Sequence, residues 1–182
     1  PVHLVTRAKA LLVDMTDLRL SVAMAAAARA VGVLTVADVD HEGPGLTDLL
    51  PHIDVLVVSE DLRGRLRDLQ AAGPRLAVAT LGAAGAVTWD GRREVHVPGF
   101  PVDVVDTTGA GDVFRAALIT HLVDPVDPVD PVDPVLFANA AAALSCRGLG
   151  AQGALPTRAE VERFLTSARG RQSKQAWDTP GR

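Results

Sequence analysis

Val105-Asp106-Thr107-Thr108-Gly109-Ala110-Gly111-Asp112-Val113-Phe114 is the stretch whose reading decides the fold. It leaves an apolar-alternating run (Val102, Val104, Val105) and passes directly into a helical pattern over Val113 to Leu122, so two glycines and an alanine fall on a helix's first turn. The first amides of a helix have no internal partner, and the macrodipole leaves about half a positive charge at that end. Such a turn binds anions without a basic side chain. Glycine at 109 and 111 lets a phosphate approach the backbone closely. A carboxylate inside an anion site would repel a resting phosphate, so Asp112 makes chemical sense where it faces a second reactant and takes a proton from it. That is a general base beside an anion hole. The plainer alternative has Asp106 or Thr108 capping an ordinary helix, with Asp112 complementing its dipole.

On the amino-terminal side of this stretch the chain alternates strand-like and helical runs. Ala10 to Val13 reads as a strand, and Leu18 to Val31 as a helix capped by Thr16 or Asp17 and closed by Gly32. Val33 to Ala37 is a second strand, followed by a short helical piece near Leu46 to Leu50. Val55-Leu56-Val57-Val58 is an unbroken apolar run of the kind buried on both faces in a parallel sheet. A helix from Ser59 to about Leu69, a strand over Leu76 to Ala79, and a hairpin joining Ala86–Trp89 to Glu94–Val97 complete the series. The pattern β-α-β-α-β-α-β implies an α/β fold, a three-layer doubly wound and mostly parallel sheet whose ligands sit at the carboxyl ends of the strands.

Asp-Thr-Thr-Gly-Ala-Gly-Asp followed by Val-Phe-x-Ala-Ala-Leu resembles the second signature of the ribokinase family, the PfkB carbohydrate kinases. The resemblance implies that Gly109, Ala110 and Gly111 form the anion hole for a transferring phosphate and that Asp112 deprotonates the acceptor hydroxyl. It implies ATP as phosphate donor, Mg²⁺ on its phosphates and a sugar or related alcohol as acceptor. Thr80-Leu81-Gly82-Ala83-Ala84-Gly85 lies at a strand end and resembles the family's Thr-x-Gly-x-x-Gly nucleotide loop. By itself the string reads as a glycine turn entering a hairpin. Asn139 falls at a base-contacting position of the family. A monovalent cation, K⁺, is implied beside Asp106, Thr108, Ser145, Gly148 and Gly150, although Ala154 stands where the family often has a hydroxyl. Ser59-Glu60-Asp61-Leu62 departs from the family's usual Asn-x-x-Glu. Its Ser-x-Asp form is nearer the ketohexokinase-like branch, with Ser59 on the nucleotide side and Glu60 and Asp61 reading as a solvated first turn.

Gly148-Leu149-Gly150-Ala151-Gln152-Gly153 satisfies the Gly-x-Gly-x-x-Gly pattern of dinucleotide folds, but an Ala-rich helix from Phe137 to about Ser145 precedes it where a strand is required, which argues against an NAD module. No P-loop pattern occurs. The 182 residues carry a formal charge of −4, which gives no electrostatic case for nucleic acid, and no apolar run is long enough to span a membrane. A single cysteine, Cys146, in an Ala-rich context fits a reduced thiol and a cytoplasmic protein. The five histidines have no metal-ligand spacing.

Residues 1–169 therefore read as the carboxyl-terminal part of a ribokinase-like kinase. Proline at every third position of the Asp-Pro-Val repeat (124–135) implies a polyproline spacer. Thr157-x-x-Glu160 reads as a capping box for a last helix to about Ala168, and residues 170–182 as a disordered tail. The amino-terminal strands and lid with which such kinases hold the sugar have no counterpart here, which leaves a truncated, incompetent nucleotide-binding remnant as the alternative to an active kinase. An open sheet edge would then favour a homodimer.

Overall fold

The computed structural model describes residues 2–124 and 132–177, with side chains described for 3–124 and 133–168. In chain order it contains α1 (Val2–Val5), β1 (Ala10–Val13), α2 (Leu18–Ala30), β2 (Leu34–Val39), α3 (Leu46–Leu49), β3 (Val55–Val58), α4 (Leu66–Ala71), β4 (Leu76–Thr80), β5 (Gly85–Trp89), β6 (Glu94–Pro98), α5 (Ala110–Val123), α6 (Val132–Ser145) and α7 (Arg158–Trp177). Single 3₁₀ turns precede β3, α4 and β5.

The strands form one sheet in the order β1-β2-β3-β4-β5-β6. β1 to β4 are parallel and β4 to β6 antiparallel. Because each parallel crossover steps in the same direction, right-handed connections place α2, α3 and α4 on one face. Their apolar residues, Ala25, Leu46, Leu49, Leu66 and Leu69, pack on Val39, Leu56, Val58, Ala77 and Ala79. The alternate residues of the same strands, Val36, Val57 and Val78, together with Ala86 and Val97, meet Phe114 and Leu118 of α5, Phe137, Ala138 and Ala141 of α6 and Val161 of α7. The three layers expected from the sequence are present, and all four residues of β3 are buried, as an inner parallel strand requires. α2 begins at Asp17, whose carboxylate accepts from Leu20 N–H at 3.1 Å.

The alternating run Val102–Val105 lies outside the sheet, with Val104 and Val105 each 60% exposed. Two expectations change. The last Asp-Pro-Val repeat is not an extended spacer, because α6 starts at Val132 and Pro134 sits in its first turn, where the missing N–H would have had no helical partner. Residues 125–131, the rest of the expected polyproline segment, lie outside the described residues. The last helix continues to Trp177 instead of ending near Ala168, so most of the expected tail is helical; residues 178–182 lie outside the described residues.

At the amino ends of the strands, away from the glycine-rich turns, Asp54 is 9% exposed and joins four elements. Its Oδ2 accepts from the backbone N–H and the hydroxyl of Thr35, both at 3.0 Å, and its Oδ1 pairs with Arg29 at 3.3 Å and Arg75 at 3.0 Å. Asp54→Ala would strand two buried donors of Thr35 and release two partly exposed arginines. Unfolding in urea should show a loss of about 2–4 kcal/mol, and a loss below about 1 kcal/mol would mean that water replaces the carboxylate.

Candidate functional site

The first turn of α5 is built on a left-handed residue. Gly109 is the N-cap at φ 78°, and a Cβ placed on it would lie 2.7 Å from the Cβ of Ala151, so both the backbone angle and the neighbouring loop demand glycine. That geometry aims the helix's free amides outward. Among the described residues the N–H groups of Gly109, Gly111 and Asp112 have no hydrogen-bond partner, whereas that of Ala110 donates to Thr107 O at 3.1 Å. The expected anion hole thus has three free donors, and Ala110 contributes its small size.

Two cavities meet at this turn. The larger, of about 520 Å³, is lined by Thr80, Gly82, Ala83 and Gly85 on one side, by Phe100, Pro101, Val102 and Val104 across its mouth, and by Thr107, Ala110, Gly111, Asn139 and Cys146. The smaller, of about 390 Å³, runs along β1 and α2 and is lined by Leu11, Leu12, Asp14, Leu20, Met24, Asp38, Asp112 and Arg115. Consecutive residues of one helical turn, Gly111 and Asp112, therefore face different cavities. The glycine side is flanked by the Thr80–Gly85 loop, and Asp112 stands on the other side.

The sequence-predicted residues divide accordingly. Thr80, Gly82, Ala83, Gly85 and Asn139 line the larger cavity. Leu81 does not; it is buried in the core beneath the loop. Ala84 turns its carbonyl to the ring of His96 at 2.9 Å and to Gly99 N–H at 3.3 Å, which ties the loop to β6. Asn139 is 6% exposed and donates from Nδ2 to Val97 O and Pro98 O at 3.0 and 3.1 Å, which leaves Oδ1 without a partner among the described residues. Ser59 lies at the end of β3 outside the lining, with its hydroxyl donating to Asp40 O at 2.9 Å. Glu60 and Asp61 begin an exposed 3₁₀ turn.

Asp106 joins the turn to the loop after α6. Its Oδ1 accepts from Thr108 N–H at 2.9 Å and from the Thr108 hydroxyl at 2.7 Å, and its Oδ2 from Gly150 N–H at 2.8 Å. These donors, the Thr108 amide first, hold the carboxyl below its usual range. Ser145 O accepts from Gly148 N–H at 3.5 Å and Gly150 O from Gly153 N–H at 3.2 Å, so the carbonyls expected to face a cation also close the turn. Gly153 is there for tightness: a Cβ on it would meet Leu149 O at 2.2 Å. Among the described residues no group of three or more His, Cys, Asp or Glu could hold a metal, and no helix is long and apolar enough to cross a membrane.

Sequence reasoning missed Arg115 and Asp38, which join Asp112 in the smaller cavity. Arg115 Nη2 donates to Asp112 Oδ1 at 2.7 Å and Nη1 to Asp38 Oδ1 at 3.0 Å. Burial pushes the Asp38 carboxyl up to about 6; Arg115 opposes this, while Asp40, Asp112 and Asp14 reinforce it. The available signal was an acid at the end of an otherwise apolar strand, Val36-Ala37-Asp38, and an arginine three residues after Asp112.

The family described as pfkB family carbohydrate kinase matches residues 3–158. A ribokinase of Bacillus subtilis is 46% identical over 93 residues, which cover 51% of this chain and 31% of that protein. An aminoimidazole riboside kinase of Salmonella typhimurium is 38% identical over 110 residues, covering 59% of this chain and 34% of the relative. The structure of Arabidopsis thaliana ribokinase complexed with ribose and ATP is similar with a TM-score of 0.79 at 27% identity, over 90% of this chain and 58% of that one. The chain thus spans less than two thirds of each of these proteins, and their names do not decide the ketohexokinase-like branch.

The Asp106 clamp has a testable signature. A carboxyl whose pKa is lowered by folding stabilises its contacts above the unfolded value of about 3.9 and loses that contribution as pH falls through the folded one. Asp106→Ala should accelerate hydrogen exchange of the Gly150 amide by about tenfold or more, and in the unmodified chain the protection of that amide should fall on acidification below pH about 4. An amide equally protected in the variant would show that the loop holds itself.

Proposed function

The chain belongs to the PfkB family of carbohydrate kinases, and from that premise we propose that it carries the nucleotide half and the general base of an ATP-dependent phosphotransferase acting on a sugar or related alcohol. The observation that carries this reading is the partition at α5: free amides of Gly109 and Gly111 beside the larger cavity, and the Asp112 carboxylate in the smaller one. The donor ATP lies in the larger cavity, its phosphates toward the α5 amides and the Thr80–Gly85 loop and its base toward Asn139; that the Arabidopsis relative is complexed with ribose and ATP supports a nucleotide donor. The acceptor alcohol approaches from the smaller cavity. Asp112 takes its proton, the alcohol oxygen bonds to the γ-phosphorus, and the bond to the ADP oxygen breaks in line, with the charge on the transferring group met by the amides of Gly109, Gly111 and Asp112.

Mg²⁺, when bound with ATP, would neutralise charge on the phosphates; the exposed Glu60 and Asp61 belong to the turn after β3 at this end of the sheet. K⁺ would sit against Asp106, which its low pKa keeps ionised, and the carbonyls of Ser145, Gly148 and Gly150, next to Thr108. We assign residues 1–169 to this kinase part and the reaction to the cytoplasm, where ATP is abundant. A second reading is favoured by the shares of 31% and 58% of its relatives that the chain spans: a nucleotide-binding remnant that works only with a further strand from elsewhere, including a second copy, against the edge strand β1.

Calorimetry and turnover separate these. The chain should bind Mg-ATP and not NAD, and replacing potassium by a bulky organic cation should weaken ATP binding; equal affinity in the two salts would remove the cation from the reading. In any preparation that phosphorylates a ketose, aldose or nucleoside, Asp112→Asn should lower kcat by at least ~100-fold with ATP affinity nearly unchanged. A variant retaining a third of the rate would take Asp112 out of the mechanism. ATP binding with no phosphoryl transfer to any acceptor would favour the remnant.

A further inference from the structure

Asp112 has an 80% exposed side chain, and a solvated carboxylate three residues from an arginine on a helix ordinarily gains little from the pair. This pair is different because the arginine is already fixed. Arg115 is 18% exposed, its Nη1 is bound to Asp38, itself 15% exposed, and its guanidinium lies over Gly111, where a Cβ would come within 3.3 Å of Nη1. The rotamer freedom of the long side chain is lost to Asp38 in any case, so the 2.7 Å bond to Asp112 restricts only the short aspartate. That bond occupies Oδ1. Among the described residues Oδ2 has no hydrogen-bond partner and stays free to accept a proton.

We propose that Arg115 is a positioning residue for Asp112, with Asp38 as its anchor: one guanidinium spans two carboxylates from α5 and β2 and fixes the Asp112 side chain in a single rotamer with one oxygen free. The assignment rests on the reading of Asp112 as the base. It deepens that reading by naming what holds an otherwise unsupported carboxylate, on a flexible single-bond stem, in one place. Near-attack geometry is lost with displacements of about 1 Å, so a base left free to sample three rotamers would spend most of its time out of reach.

The anchor is also conditional on pH. The charged groups facing Asp38 are Asp14 beyond β1, Asp40 beyond β2, and Asp112 and Arg115 on α5, so three acids oppose one cation across a partly buried site. Asp38 holds Arg115 by charge when ionised, above pH about 6, and only by a neutral hydrogen bond below it. The fixed rotamer of Asp112 should loosen as pH falls through that region, well before ordinary carboxylates titrate.

Three-bond carbon and nitrogen couplings of Asp112 in isotopically labelled chain report its rotamer without any need for turnover. At pH 7.5 they should indicate one dominant rotamer, averaging toward three below pH about 5.5. Arg115→Gln and Asp38→Asn should each give averaged couplings at pH 7.5, and Arg115→Lys, which offers a single point donor, should not restore them. The carboxyl carbon of Asp38 should titrate higher in Arg115→Gln and lower in Asp112→Asn. Equally fixed couplings in Arg115→Gln would overturn the proposal, and fixed couplings in Asp38→Asn would remove Asp38 as the anchor. Far-ultraviolet circular dichroism and the thermal transition identify a variant that has unfolded, in which case Arg115→Lys and the pH series carry the decision. Where phosphoryl transfer is measurable, Arg115→Gln should lower kcat by about tenfold with the KM for ATP unchanged. A full loss in Asp112→Asn with none in Arg115→Gln would sink the positioning role, whereas an unaffected Asp112→Asn would sink the reading of the base and leave the coupling data standing.

Discussion

The contact between the Asp106 carboxylate and three donors is the constraint on which the site depends. Asp106 and Gly150 are 44 residues apart, and two further bonds, from the N–H groups of Val105 and Asp106 to Cys146 O at 2.8 and 3.2 Å, run between the same two segments. Together they seat the entry to α5 against the exit from α6. Ala151 occupies the space a Cβ on Gly109 would need, the chain enters the helix through that left-handed residue, and the amides of Gly109, Gly111 and Asp112 are left unpaired among the described residues. A helix beginning at an ordinary capping residue would satisfy one or more of those amides itself, and fewer donors would stay open.

The sheet determines where that turn stands. Its four parallel strands are crossed in one direction, so the helices that connect them share a face and α5, α6 and α7 must supply the other. The amino end of α5 consequently lies over the carboxyl ends of the strands, next to the β4–β5 loop, and Asp38 at the end of β2 comes within reach of Arg115. Asp54 does the corresponding work at the opposite end, where bonds to Thr35, Arg29 and Arg75 fix the relative heights of β2, β3 and β4. Register at one end of a parallel sheet fixes it at the other, and a polar clamp far from the cavities thereby sets the level of the loops that line them.

Local chemistry made much of this legible. Val55–Val58 announces an inner strand because both faces of a parallel sheet are covered, and Gly109-Ala110-Gly111 announces an open helix start because only small residues leave its amides accessible. What stayed hidden depends on neighbours remote in sequence. Arg115 and Asp38 are 77 residues apart, and nothing local marks them as partners. Leu81 sits inside a glycine loop yet faces the core, since a turn that leaves a sheet must send one side chain back into it. The alternation of Val102 and Val104 reflects the wall of a cavity rather than a pleat. Proline every third residue signals an interrupted helix, but that rule does not apply to a first turn, where Pro134 stands.

The chemistry of the smaller cavity bears on how an acceptor would be chosen. A polyol is recognised through its hydroxyls, each needing a donor or acceptor placed to meet it, and sites that discriminate among sugars do so because unmet polar groups are costly. The wall formed by β1 and α2 offers mainly Leu11, Leu12, Leu20 and Met24, and Leu12 and Leu20 are 46% and 51% exposed. Of its polar members, Ser21 already donates its hydroxyl to Asp14 O at 2.8 Å, and Asp38 and Asp112 share Arg115. Asp14 alone remains as a carboxylate not bound to a cation, and its Oδ1 accepts from Thr16 N–H at 2.9 Å. Such a surface can shelter a reacting alcohol from water and present it to a base, but it has too few uncommitted hydrogen-bonding groups to distinguish one sugar from another. On the proposed reading, these residues would handle phosphate charge and a proton, and they offer little with which to select the acceptor.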